Sequence, residues 1–204
     1  MGSSYNIPAE HLCVEQEIKR SRFITDIGHA ESRADALAFI MQVKERQPEA
    51  RHHCWAYIAG HPESSIERAS SDDGEPQGTA GKPMLNVLQH KGVGEIIVVV
   101  SRYFGGIKLG AGGLVRAYTS SVQQAADGLP LTRRIATLPA VLHLPFALES
   151  NIRRLLGGLN VIIKQTLYGH DVEMYIEVEA GMQAELEHLL TNISRGSASI
   201  LFPE

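Results

Sequence analysis

Asp72, Asp73 and Glu75 crowd three carboxylates into four positions of the stretch SDDGEPQGTAGKP, residues 71–83. Charges this close repel one another, and the interleaved Gly74, Gly78 and Gly81 are costly to order. Three carboxylates in one loop could hold Mg²⁺ or Ca²⁺, or supply an acid/base pair. The spacing is not that of a calcium loop, which needs D-x-[DN]-x-[DN]-G and a distant Glu. It favours an acidic turn whose side chains accept from their own backbone amides. Neither a metal nor a cofactor is expected.

A second chemistry-bearing stretch is RYFGGIKLGAGGLVRAY, residues 102–118. Gly105 and Gly110 have the outer spacing of a phosphate-binding P-loop, but Ala111 and Gly112 stand where Lys and Ser/Thr should follow. The dinucleotide fingerprint fails as well, because Val115 occupies the place of the third glycine. Glycines that lead into a helix still present backbone amides at its positive end, which suits an anion. Arg102, Lys108 and Arg116 flank this segment. Behind Gly81 and Lys82, Pro83 opens a further helix. The alternative is close packing, with the glycines letting helix and strand approach, and the spacing does not choose between the two.

His52 and His53 are neighbours on a strand, so they point to opposite faces and cannot easily share a zinc ion. No C-x-x-C or H-x-x-x-H accompanies them. His53 is placed to meet the acidic loop, as a hydrogen-bond partner or an acid/base. No G-x-S-x-G nucleophile elbow occurs. The pairs Arg133-Arg134 and Arg153-Arg154 suit solvated faces as well as RNA contacts.

The elements that must position these residues follow from periodicity. IKRSRFITDIGHA is strand-like but broken by charge. SRADALAFIMQVKERQP reads as a helix, with Ser32 and Asp35 forming a capping box, Leu37, Ile40, Met41 and Lys44 at helical spacing, and Pro48 at the end. RHHCWAYIAG alternates as a strand, His53, Trp55 and Tyr57 on one face and Cys54, Ala56 and Ile58 on the other. PMLNVLQHKG is a helix opened by Pro83. GEIIVVVSRYF does not alternate, so it reads as a strand buried on both faces. LVRAYTSSVQQAADGL is a helix with Leu114, Tyr118, Val122, Ala125 and Leu129 in one stripe. GLPLTRRIATLPA, with two prolines and an Arg-Arg pair, reads as a linker. Beyond it the order is strand, helix, hairpin turning at Tyr168-Gly169-His170-Asp171, helix and strand, which is the ferredoxin-like order. The expected fold class is therefore α+β, in two domains, 1–136 and 137–204.

The 204 residues, 44% hydrophobic and 21% charged, suit one large or two small globular domains. A net charge of −4 argues against a globally basic nucleic-acid binder and leaves any such contact to a local patch. Two cysteines are too few for a disulfide framework. The start carries no signal peptide, and Ile96–Val100, the densest apolar run, is far too short to span a bilayer. A cytoplasmic protein with no membrane contact is expected.

HHCWAY, SDDGEPQGTAGKP and VVVSRYFGGIKLGAGGLVRAY, with the pattern that follows them, resemble the IMPACT family, and in particular its bacterial branch. The resemblance covers nearly the whole chain. Its most specific motifs are Arg102-Tyr103-Phe104-Gly105-Gly106 with Lys108-Leu109-Gly110, and Asp72-Asp73-Gly74-Glu75-Pro76. It implies an N-terminal domain like the second domain of a ribosomal small-subunit protein, and a C-terminal domain similar to the last domain of elongation factor G. It also implies a translation-linked regulatory role with RNA or a ribosome-associated protein as partner. The alternative is a hydrolase or transferase of a small anionic metabolite. The two signature loops are expected to meet in one composite site. There Asp72, Asp73 and Glu75 would face Arg102, Lys108 and Arg116, with His53 and Tyr103 at the edge and Lys82, Gly105 and Gly106 contributing.

Overall fold

The computed structural model describes residues 4–63, 67–159 and 161–203. The outer ends of the two expected domains, residues 1–3 and 204, and residue 160 at the head of the expected hairpin lie outside the described residues. The described residues form a mixed α+β structure with five α-helices and three sheets, and they divide into two compact units, Tyr5–Arg134 and residues 135–203 with Ser4 grouped with them.

The first unit is built on five antiparallel strands. In chain order its elements are β1 (Tyr5–Pro8), β2 (Leu12–Ile18), β3 (Ser21–His29), α1 (Arg33–Arg46), β4 (His52–Ile58), β5 (Arg68–Ser71), α2 (Gly81–Lys91), β6 (Ile96–Tyr103), α3 (Ala111–Gly128) and β7 (Leu131–Arg134). The sheet runs β2-β3-β6-β4-β5, and β1 and β7 pair separately as a two-stranded ribbon. β6 is central, and Ile96 to Val100 are all buried. Its even-numbered residues Ile96, Val98 and Val100 pack with Phe23, Met84, Leu88 and Tyr118 under α2 and α3. Its odd-numbered Ile97 and Val99 pack with Ala36, Ile40 and Val43 under α1. Each aliphatic side chain taken out of water this way contributes roughly 1.5–3 kcal/mol before the ordering cost.

Several sequence expectations are sharpened here. The charged break in IKRSRFITDIGHA is a hairpin turn, Lys19-Arg20, joining β2 to β3. The Ser32/Asp35 capping box forms, but the buried stripe of α1 is Ala36, Ile40 and Val43, while Leu37 and Met41 are exposed. α2 begins at Gly81, two residues before Pro83. The stretch read as a linker contains β7, because β1 offers Leu131–Arg134 a partner from the far end of the sequence. The stripe on α3 is buried as expected.

The second unit runs β8 (Thr137–Leu144), α4 (Glu149–Gly157), β9 (Val161–Tyr168), β10 (Val172–Glu179), α5 (Gln183–Ser194) and β11 (Ser199–Leu201). Its sheet order is β11-β8-β10-β9, antiparallel throughout. Val172, Met174, Ile176 and Val178, every second residue of β10, pack with Ile152 and Leu156 of α4 and Leu186 and Leu190 of α5.

Candidate functional site: a cationic cleft at the start of α3

Strand parity decides what Arg102 does. It continues the Val98, Val100 face of β6, opposite Phe23 of β3 and His52 of β4, so its guanidinium lies on the α2/α3 side. There Nη1 donates to Glu75 Oε1 at 2.6 Å, and the Tyr118 hydroxyl donates to the same oxygen at 2.9 Å. Both charged side chains are buried, Arg102 at 8% exposure and Glu75 at 4%. Arg102 Nη2 reaches Ser21 Oγ at 3.5 Å. The guanidinium stands 5.6 Å from the Phe23 ring centre and 5.8 Å from that of Phe104, within cation–π range. Its Nε, fully buried, has no hydrogen-bond partner among the described residues. Such a donor costs about 1–3 kcal/mol unless something meets it.

This pair forms the floor of a cleft of about 330 Å³, at the lower end of the range for small-molecule sites. Arg51 and Lys108 add cationic side chains, both exposed. Pro76, Phe104, Leu109 and Leu114 form an apolar wall. Gly110 and Ala111 complete it at the start of α3, whose first turn has no side-chain cap. An uncapped eighteen-residue helix presents free amides and a partial positive charge there. Alone that would say little, but Arg102, a side chain more than nine-tenths buried whose Nε has no partner among the described residues, lines the same cleft. Arg51, Lys108, Lys82 and Arg116 make no ion pair among the described residues, in contrast to Arg22, Lys44 and Arg46.

The composite site assembles only in part. Glu75, Arg102 and Lys108 come together, but Asp72 and Asp73 do not face Arg102. Asp72 accepts from the amides of Gly78 (2.8 Å), Ala80 (3.0 Å) and Gly81 (2.8 Å). It thereby caps α2, whose own N-cap, Ala80, has no side chain able to do so. Burial raises its carboxyl pKa, but the amides of Gly78, Gly81 and Ala80 outweigh burial and hold it below the usual carboxylate range. Asp73, at φ 40°, accepts from the His53 backbone amide (2.7 Å) and from Lys44 (3.3 Å). This is the acidic turn bonded to backbone amides that the spacing favoured.

His53 and Tyr103 are not at the edge of the cleft. Both carry the opposite parity to Arg102, so they lie on the α1 face. The His53 ring meets Ser101 Oγ at 2.9 Å, and the Tyr103 hydroxyl donates to Gln47 at 2.7 Å. Burial, then Lys44, lowers the His53 pKa, which keeps the ring neutral. Lys82 and Arg116 are exposed on α2 and α3 and do not line the cleft. Gly106 sits exposed at φ 85°. Gly105 is needed for close approach, since a Cβ there would run into the carbonyl of Arg20.

Sequence reasoning missed Ser21, His52, Arg51 and Tyr118 as site residues. Tyr118 was legible only as core, because a stripe position does not reveal a hydroxyl aimed at a carboxylate. Cys54 lies behind it, its thiol 3.0 Å from the Asp72 carbonyl and 3.3 Å from the Tyr118 hydroxyl. Burial pushes the thiol up to about 12. Burial, then Cys54 and Glu75, raises the Tyr118 hydroxyl further. Both stay protonated at neutral pH, so neither is an activated nucleophile. The arrangement is suited to holding an anion beside an apolar surface.

Comparison with known proteins adds the following. Residues 19–126 match the family model of the Impact N-terminal domain, and residues 142–197 match a domain of unknown function, DUF1949. The chain is 43% identical over 198 residues to the IMPACT family member YigZ of Escherichia coli (strain K12), spanning 97% of each. It is 56% identical over 123 residues, 60% of each chain, to an IMPACT family member of Haemophilus influenzae. It is 35% identical over 185 residues to the IMPACT family member YvyE of Bacillus subtilis, covering 90% of this chain and 83% of that one. A crystal structure of a hypothetical protein, 43% identical, superposes with a TM-score of 0.75 over 100% of this chain and 99% of its own.

Proposed function

This chain belongs to the IMPACT family, and from that premise we propose that it is a translation-linked regulatory protein that binds RNA through the cleft between Glu75, Arg102 and the start of α3. The observation that carries the reading is the buried Arg102, which pairs with Glu75 through Nη1, lines the cleft, and keeps an Nε without a partner among the described residues. Arg51, Lys108 and the free amides of α3 surround it with further donors, as phosphate recognition requires. The N-terminal unit is read as similar to the second domain of a ribosomal small-subunit protein. The C-terminal unit is read as ferredoxin-like and similar to the last domain of elongation factor G. The division into two units and the sheet order β11-β8-β10-β9 support this pair of analogies.

The test is RNA binding against salt for wild type and Lys108→Ala, whose exposed side chain can be removed without touching the buried pair. Wild type is expected to bind at low salt with log K falling linearly in log[salt]. The slope of the variant should be shallower by about 0.7–0.9, one phosphate contact. No binding at low salt sinks the reading. Turnover of a phosphate monoester without RNA binding would favour an enzyme of small anionic metabolites instead.

A further inference from the structure

The hairpin turn between β2 and β3 breaks a local rule next to the cleft. A two-residue turn with both positions at positive φ is the natural place for Asn-Gly. Here it holds Lys19 at φ 48° and Arg20 at φ 64°, two long cations in a conformation that costs free energy for non-glycine residues. Both are exposed. Arg22 beyond them pairs with Glu15 at 2.8 Å, whereas Lys19 and Arg20 make no ion pair among the described residues.

This turn is joined to the cleft. Gly105 packs so closely on the Arg20 carbonyl that no side chain fits between them. Its amide donates to Ser21 Oγ at 3.3 Å, and the same hydroxyl takes the contact from Arg102 Nη2. Phe104, one residue before Gly105, lines the cleft yet remains 49% exposed. Unpaired cations on a strained turn, an open aromatic ring and a cationic cleft are thus held next to one another by the Gly105–Arg20 contact.

Building on the cleft reading, we infer that its ligand is single-stranded RNA, one base of which stacks on Phe104 while one phosphate enters the cleft and the adjoining backbone lies on Lys19 and Arg20. A base inside a duplex presents no free π-face to Phe104, so apart from its two end pairs a duplex meets only the cations. A single strand meets both, and stacking on an aromatic side chain is tolerant of sequence.

The experiment measures fluorescence anisotropy of the full chain with a 3′-labelled mixed-sequence 12-mer RNA and with the blunt duplex of the same sequence, over a salt series. The variants are Phe104→Ala, Phe104→Tyr, Lys19→Asn/Arg20→Gly and Lys108→Ala, each checked by thermal melting. The single strand should bind at least about tenfold more tightly than the duplex. Phe104→Ala should cost about tenfold with an unchanged salt slope, and Phe104→Tyr should bind like wild type. Lys19→Asn/Arg20→Gly gives the turn its preferred residues, so it should melt at or above wild type while its salt slope falls by about 1.4, or 0.7 per phosphate. A separate stability effect cannot produce that combination. Equal affinity for duplex and single strand overturns the inference. So do Phe104→Ala and Lys19→Asn/Arg20→Gly binding like wild type while Lys108→Ala is weakened, a result that leaves the cleft reading standing. No binding of either RNA at low salt overturns both.

Discussion

Arg102 and Glu75 illustrate how a buried charge pair depends on every one of its partners. Taking both charges out of water is expensive, and the 2.6 Å contact with a Tyr118 hydrogen bond offsets that cost only while all partners remain. Arg102→Ala leaves Glu75 buried without its cation, and should lower unfolding stability by roughly 3–5 kcal/mol in denaturant titration. Adding Glu75→Gln to it should recover part of the loss. A double variant as unstable as the sum of the singles would show that the pair is not coupled. Asp72 has a different task, capping α2 through three amides. Its folded pKa is depressed, so its contribution is present above the unfolded pKa of about 3.9 and is lost as pH falls through the lower folded value. Asp72→Asn keeps one acceptor oxygen for Ala80 and Gly81 but loses the carboxylate charge and the acceptor for the Gly78 amide, and should therefore cost about 0.5–1.5 kcal/mol at pH 7. The gap to wild type should narrow below about pH 4, and a gap independent of pH would contradict the charge-assisted cap. The sequence made Asp72, Asp73 and Glu75 look alike. Only the path of the loop separates them: residues 72 and 73 still follow β5 and are spent on backbone amides, while Glu75 has turned far enough to reach Arg102.

At the level of elements, long periodic segments were legible and short paired ones were not. α1, α3 and β6 announce themselves because their burial repeats over several turns or residues. β1, β5 and β7 are four residues each and exist because a distant strand offers hydrogen bonds, as β1 does for β7 across most of the unit. The α1 stripe shows the limit of periodicity: Leu37 and Met41 keep helical spacing with Ile40 yet face solvent, because Ala36 and Val43 fix the buried line. The site depends on the same kind of long-range meeting. Gly105 allows β6 to leave the sheet against the Lys19-Arg20 turn, a contact no local pattern shows. Gly105→Ala forces that backbone apart and should destabilise the protein by roughly 1–3 kcal/mol. It should also weaken RNA binding beyond what that loss explains at a temperature where the variant remains folded. If the variant melts and binds like wild type, the turn is not held where the structure puts it.

Across the whole molecule, the charge and the hydrophobic cores are divided between the units. Residues 5–134 hold fifteen basic and fifteen acidic side chains, and residues 135–204 hold four and eight, so the net charge of −4 belongs entirely to the second unit. A chain that looks acidic as a whole therefore contains a neutral unit, with Arg51, Arg102 and Lys108 at its cleft and Lys19 and Arg20 at its turn, which the overall composition conceals. The buried apolar clusters each lie within one unit, those of the first between Phe23 and Leu129 and that of the second between Ala140 and Leu190. The β1–β7 ribbon closes the first unit on itself at Tyr5 and Arg134. A fragment of residues 4–134 should consequently fold cooperatively and keep the RNA affinity of the full chain. At low ionic strength it should bind more tightly, because the acidic unit no longer repels the strand. That advantage should shrink near 0.15 M salt, where screening acts over about 8 Å. Circular dichroism melting and the same anisotropy titration decide it. A folded fragment that no longer binds would move part of the recognition surface into the second unit, and the cleft at the start of α3 would then be insufficient by itself.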